Sequence, residues 1–323
     1  KKGHEFVGWS KKIEDANTGA ITPGSEFNRD TVVTGANTEV YAVWKERENI
    51  PVTFDANGGE LGSITPKVYT KYNTSLGDKF PTGTPTKTGH TFKGWTKSKV
   101  EADKGIVTDA NKVDKDTVIT DDVTAYAAWS KKEYDVHFMS EDEEVQNPFT
   151  SPIKCLYGES LGDKFPTQAP ESAQSDNYVF KGYSTNKDEA EDGILKPEHK
   201  FDKDTKVTGE ITVYAVWREL VTVSFNANGG LEASLPQPKR VEKDEKLGSN
   251  YPTEIPTYEG NTFLGWSTDP NAQAPDITAD SVITRDTMLY AVWEPIKYAV
   301  TFMNGMKKHA VKYAVHNTAL GAD

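Results

Sequence analysis

Short alternations of apolar and polar residues mark most of the chain as strand. Val52-Thr53-Phe54-Asp55 alternates in this way, the signature of a strand with one buried face. It runs into Asn57-Gly58-Gly59, and Asn-Gly signals a tight hairpin because both residues tolerate positive φ. Asn228-Gly229-Gly230 repeats the signal and Asn304-Gly305 echoes it. A second strand is expected over 66–72, by analogy with 237–241 and 307–315. The stretch from Phe80 to Thr86 is too proline-dense for a central strand or a helix. Gly89 to Trp95 then reads as a strand, with Gly94 at a bulge or under a covering ring. The polar segment that follows has room for one short helix. Residues Val118 to Trp129 close the pattern with β-branched and aromatic side chains. The turn before them is expected at Asp114–Thr117, Asp202–Thr205, Asn28–Thr31 and Thr284–Thr287.

The same blocks recur, and recurrence decides the organisation. Phe-x-Gly-aromatic occurs at Phe6–Trp9, Phe92–Trp95, Phe180–Tyr183 and Phe263–Trp266. Tyr-Ala-x-Trp occurs at Tyr41–Trp44, Tyr126–Trp129, Tyr214–Trp217 and Tyr290–Trp293. Leu-Gly-Asp-Lys-Phe-Pro-Thr stands at Leu76 and Leu161, with a diverged copy at Leu247, and Leu320-Gly321 opens a fourth. The first block returns after 86, 88 and 83 residues, a domain-sized period. All 7 tryptophans fall in the eight aromatic slots of these two motifs, and Tyr183 fills the last. The sixteen motif residues (Phe6, Trp9, Tyr41, Trp44, Phe92, Trp95, Tyr126, Trp129, Phe180, Tyr183, Tyr214, Trp217, Phe263, Trp266, Tyr290 and Trp293) are therefore expected to be core anchors. The fold class that follows is β-rich α+β, in small tandem domains.

Composition narrows the chemistry. Aromatics reach 11%, which excludes wholesale disorder, and no apolar run is long enough to cross a membrane as a helix. The net charge of -12 argues against a nucleic-acid partner. That charge is uneven: +1 over 49–131, -9 over 132–219, -6 over 220–295 and +3 over 296–323. Surfaces have drifted while the anchors have not. A single cysteine, Cys155, excludes an internal disulfide and reads as a small buried hydrophobe. His4 and His90 share a slot that holds Tyr178 and Asn261 in the other copies, so it reads as strand surface. His137, His199, His309 and His316 show no His-x-x-x-His spacing. The runs Glu141–Glu144 and Asp188–Asp192 lack the Asp-x-Asp-x-Asp-Gly order of a calcium loop. No catalytic, metal or cofactor site is expected.

The ordered blocks, from Val-Thr-Phe and Asn-Gly-Gly through Gly-x-x-Phe-x-Gly-Trp to Tyr-Ala-x-Trp, resemble the Listeria–Bacteroides repeat, also called the internalin-type B repeat. The resemblance implies small β-grasp-like domains, in tandem, in bacterial surface proteins, and it brings no catalytic residues. Three copies depart from the compact spacing. Trp9 to Trp44 is 35 residues and Trp95 to Trp129 is 34, whereas Trp266 to Trp293 is 27. An added strand or longer hairpin near Val118–Asp122 is the expected cause.

In the family's phase, complete repeats occupy 49–131, 132–219 and 220–295, with the C-terminal part of a repeat at 1–48 and the N-terminal part of another at 296–323. A permuted unit, running from Phe-x-Gly-Trp through the next Val-x-Phe hairpin, is the alternative. The functional expectation is a non-enzymatic stalk on a bacterial surface, extracellular, forming an elongated array whose partners are its own neighbouring repeats. The second reading is an adhesive module recognising a host glycan or protein. Neither reading involves a cofactor, nucleic acid or insertion of this segment into a membrane.

Overall fold

The computed structural model describes residues 1–171 and 176–321. It is β-rich, with 41% strand and 9% helix. The chain forms two compact units, one comprising Lys1–Asp135, Lys154–Ser160 and Lys206–Glu210, the other Val136–Ile153, Leu161–Thr205 and the chain from Ile211 onward.

The first unit contains a three-stranded antiparallel sheet ordered Glu26–Phe27, His4–Ser10, Tyr41–Glu46. It also contains a five-stranded sheet ordered Lys67–Thr70, Ile50–Asp55, Val123–Lys131, His90–Thr96, Lys112–Val113. Within the larger sheet Ile50–Asp55 runs parallel to Val123–Lys131, and the other pairs are antiparallel. One face buries Val52, Phe54, Trp95, Ala125, Ala127 and Trp129, closed by Leu76 and Ile119. Leu76 precedes a single 3-10 turn, Gly77–Lys79, which is what the Leu-Gly-Asp-Lys block forms. The other face carries the short helix Lys99–Asp103.

The second unit is organised by one 16-residue strand, Ile211–Asn226. Its first half lies parallel to Val136–Met139 and antiparallel to Tyr178–Ser184. Its second half pairs with Lys239–Glu242 and runs parallel to the start of Thr287–Pro295. The strand therefore passes unbroken through residues 219 and 220. Lys297–Asn304 and Lys307–Val315 form a hairpin of their own.

The three-residue step from Phe92 to Trp95 would place the two rings on opposite faces of a regular strand. A bulge corrects this: Phe92 faces Trp129 while Gly94 faces Ala128, so one register position is skipped. The same shift occurs at Phe6/Gly8, Phe180/Gly182 and Phe263/Gly265. Phe92 is then wedged between Trp95 at 5.4 Å and Trp129 at 5.5 Å. Phe6, Phe180 and Phe263 are wedged in the same way, at 5.1–5.6 Å from their partners. The Phe–aromatic pairs within each Phe-x-Gly-aromatic block are edge-to-face, a geometry that adds attraction beyond the area it buries.

Three sequence expectations are corrected. Asn57-Gly58 does not close a two-residue hairpin, because the strand pairing with Ile50–Asp55 starts only at Lys67. Instead the loop docks on the sheet: Asn57 donates to the Ala127 carbonyl at 3.1 Å, and Trp129 Nε1 donates to the Ala56 carbonyl at 2.8 Å. A Cβ on Gly59 would lie 2.8 Å from the Trp129 ring, so glycine is needed there for close approach. Second, the turn equivalent to Asp114–Thr117 in the compact copy is Thr278–Ser281, not Thr284–Thr287; it precedes Val282–Ile283 just as Asp114–Thr117 precedes Val118–Ile119. Third, the length difference does not lie near Val118. Val118 to Trp129 and Val282 to Trp293 are both 11 residues, whereas Trp95 to Val118 is 23 and Trp266 to Val282 is 16. The shorter copy lacks the helix, where the longer ones carry Ile13–Thr18, Lys99–Asp103 and Lys187–Glu191.

Candidate functional site

The expected anchors divide by strand alternation. Trp95, Trp129, Tyr183 and Trp266 are buried, and Phe92, Phe180, Phe263, Trp217 and Trp293 are half-buried against the same cores. Tyr126 and Tyr290 lie one residue out of register with Ala127 and Ala291, which enter the cores; they therefore face the opposite side of the sheet and are half-buried there. Tyr41 and Tyr214 occupy the same motif position with the same half-burial. Phe6 and Trp9 are 48% and 46% exposed. Among the described residues no strand takes the place of Ile50–Asp55 beside Tyr41–Glu46, so the two rings lack the cover that Phe54 gives Trp95 at 5.1 Å.

A feature that motif reading misses is the joint between consecutive repeats. At Gly89 the carbonyl accepts from the Lys132 amide at 2.8 Å, and the Lys132 carbonyl accepts from the Tyr157 amide at 2.9 Å. The Tyr157 ring then lies flat on Gly89: a Cβ there would be 2.1 Å from it. The N-terminal joint has the same form, with Gly3, Arg47 and Tyr72, bonded at 3.0 and 2.8 Å. The C-terminal one uses Gly260, Ile296 and His316, bonded at 2.9 and 3.0 Å. The remaining joint also has two backbone bonds, from the Leu220 amide to the Asn177 carbonyl at 2.8 Å and from the Lys243 amide to the Glu219 carbonyl at 2.9 Å. Its acceptor is shifted by one residue from its donor, and it has neither the glycine nor the ring. Charge replaces the ring there. Lys243 pairs with Glu219 at 2.5 Å, Lys181 with Glu242 at 2.8 Å and Arg218 with Glu245 at 3.3 Å, and Arg240 donates to Asn177 at 3.0 Å. The joint recurs four times, and each copy lies wholly inside one of the two compact units.

Each helix is tethered by an acid in its first turn. Asp15 accepts from the hydroxyls of Ser10 at 2.5 Å and Thr22 at 2.5 Å and from that of Ser25, and these hydroxyls hold its carboxyl far below the usual range against the opposing effect of burial. Asn111 is the main cause of the lowered Glu101 carboxyl, helped by Thr96 and Thr108. Glu189 is lowered chiefly by Lys196 at 2.8 Å and also by His199 at 2.9 Å. The run Asp188–Asp192 is thus helix and tether, and Glu141–Asp142 is a tight turn with φ of 51° and 65°.

His4 and His90 each bond a carbonyl two residues back, at 2.9 and 2.8 Å, and His137 meets Glu144 at 2.8 Å. Cys155 is buried. Among the described residues no three His, Cys, Asp or Glu side chains converge to hold a metal ion. No helix among them is long and apolar enough to cross a membrane.

These features define a class: tandem β-rich repeats built on an aromatic wedge and linked by a recurring backbone joint. Residues 51–128 and 222–292 match the Listeria-Bacteroides repeat domain family, and those two segments of the chain belong to it. The chain is also similar to two proteins of Evansella cellulosilytica. One, a Gly-rich membrane protein by name, is 31% identical over 95% of this chain and 31% of its own length. The other, by name a membrane protein, is 30% identical over 81% of this chain and 34% of its own length. The chain thus spans about a third of the curated relatives it matches.

Proposed function

We propose that this chain is a structural spacer: a non-enzymatic stalk of a bacterial cell-surface protein that holds another domain away from the envelope. The observation that supports it is the joint, whose two backbone hydrogen bonds recur at all four repeat boundaries while the side chains around them change. A joint that is kept while surfaces drift serves spacing and orientation. In this reading the repeats at 49–131, 132–219 and 220–295 are β-grasp-like domains set end to end, the partial repeats at 1–48 and 296–323 continue the array, and the location is extracellular. The relatives' names agree with an envelope-associated protein.

The connectors are too short to act as free coil, which supports a semi-rigid array in this reading. Small-angle scattering then yields a maximum dimension on the order of 100 Å or more, from domains of about 25–30 Å each. A compact globule would overturn the proposal. Replacing Tyr157 by Ala removes one ring from its socket and is expected to broaden the scattering-derived distance distribution without unfolding either neighbour.

A further inference from the structure

The face of the sheet that carries the helix differs between copies in a way that points to a ligand. In the repeat at 49–131, Lys99 opens the helix and places its ammonium 5.9 Å from the centre of the Tyr126 ring, a distance at which the ring face attracts a cation. Lys187 holds the equivalent helix position in the repeat at 132–219. There the Asn-Gly-Gly loop is replaced by the tight turn Glu141–Asp142, and Asp142 draws the Lys187 ammonium away to 2.7 Å. Glu191 holds it from the other side at 3.4 Å. Among the described residues no ammonium lies over Tyr214, the counterpart of Tyr126. A cleft of about 200 Å³ stands at that position, lined by Tyr178, Tyr214 and Trp217. Two carboxylates, Asp142 and Glu191, share the one cation among its described lining residues, Lys187, and Glu141 also lines it.

We propose that this cleft binds a lysine side chain of a partner protein or peptide, the ammonium taking the place over Tyr214 that Lys99 occupies over Tyr126. The sister repeat supplies the ligand chemistry, and the surplus of carboxylates supplies the charge complementarity. A neutral pyranose could stack on the rings and donate hydroxyls to the carboxylates, but it has no cation to take the place that Lys99 holds over Tyr126, so the sugar is the competing outcome of the test.

The test uses the whole chain and a blocked Gly-Lys-Gly tripeptide, with Gly-norleucine-Gly as the uncharged control and N-acetylglucosamine as the sugar. Indole N–H signals are followed by two-dimensional NMR during titration. A saturable shift of Trp217 with the lysine peptide, absent with norleucine, is expected. Tyr214→Leu is expected to weaken binding about two- to fivefold, the range for an exposed cation–π contact. Asp142→Asn, at an exposed turn, frees Lys187 to fill the cleft and is expected to weaken binding too, whereas Lys187→Ala leaves it intact or tightens it. Equal shifts with norleucine, a Trp217 response to the sugar alone, or no saturable response to the lysine peptide would each overturn the proposal. Tighter binding in Asp142→Asn would overturn it as well.

Discussion

Tyr183 offers a sharp test of how the aromatic wedge is packed. It is the one non-tryptophan in its motif position, 1% exposed, with Phe138 at 4.8 Å and Phe180 at 5.1 Å. Its hydroxyl is buried with no hydrogen-bond partner among the described residues, and burial pushes its pKa up. Leaving such a group unpaired costs about 1–3 kcal/mol. Tyr183→Phe should therefore stabilise the second unit by about 1 kcal/mol, raising Tm by about 2–4 °C for a cooperative unit of this size. The cross-strand partner explains why tyrosine is tolerated. Trp95 faces Val113, whereas Tyr183 faces Phe201, so a smaller ring sits opposite a larger neighbour. Tyr183→Trp alone overfills the site and should cost about 1–3 kcal/mol. Adding Phe201→Val recreates the Trp95–Val113 pair and should recover most of that loss. Chemical denaturation of the wild type, Tyr183→Trp, Phe201→Val and the double variant gives the coupling between the two sites directly. Destabilisation by Tyr183→Phe, or purely additive effects of the other two changes, would refute the reasoning.

Trp95→Ala should lose about 3–5 kcal/mol, because the ring is buried and meets both Phe54 and Phe92; an unchanged melting curve would remove it from the core. Gly230→Ala, where a Cβ would lie 2.8 Å from both the Thr257 carbonyl and the Trp293 ring, should destabilise its repeat by about 1–3 kcal/mol in a urea titration. Asp15, Glu101 and Glu189 all have lowered pKa values, so the stability they add is present above the ordinary carboxylate range and is lost as pH falls through their folded values. Thermal melts should accordingly fall below about pH 4, and less steeply for Asp15→Asn. The charged joint around Lys181, Arg218 and Lys243 should loosen in high salt while the ring-on-glycine joint at Gly89 does not, as spin-label distances across each would show.

Much of the fold was legible because its determinants are local and recurrent. Phe-x-Gly-Trp encodes its own bulge, since two large rings three residues apart can share a face only if a register position is skipped. The single short helix in the polar segment followed from the same reading. The tyrosines of Tyr-Ala-x-Trp were misplaced because recurrence alone does not say which face a residue takes; the alternation from Ala127 to Trp129 carried that information. The turn at Thr278 was obscured by the shorter spacing of its copy, where Thr284-Arg-Asp-Thr287 mimics the motif. The joint was hidden because Gly89 and Tyr157 belong to different repeats and meet only through the backbone of Lys132. A signal did exist: the ring positions Tyr72, Tyr157 and His316 go with Gly3, Gly89 and Gly260, and Lys243 goes with Asn177. The tethering acids left no mark beyond helix-start composition.

The parallel pairing of Ile50–Asp55 with Val123–Lys131 bears on how the chain meets tension. These are the entering and leaving strands of one repeat, so a pull on the two ends drags neighbouring parallel strands in opposite directions along their length. Their backbone hydrogen bonds are then loaded together in shear and must fail as a set, whereas a hairpin pulled at its open end unzips one bond after another. Val136–Met139 against Ile211–Tyr214 and Val223–Asn226 against Thr287–Tyr290 repeat the arrangement, and the unbroken strand Ile211–Asn226 passes load between these last two clamps without a slack turn.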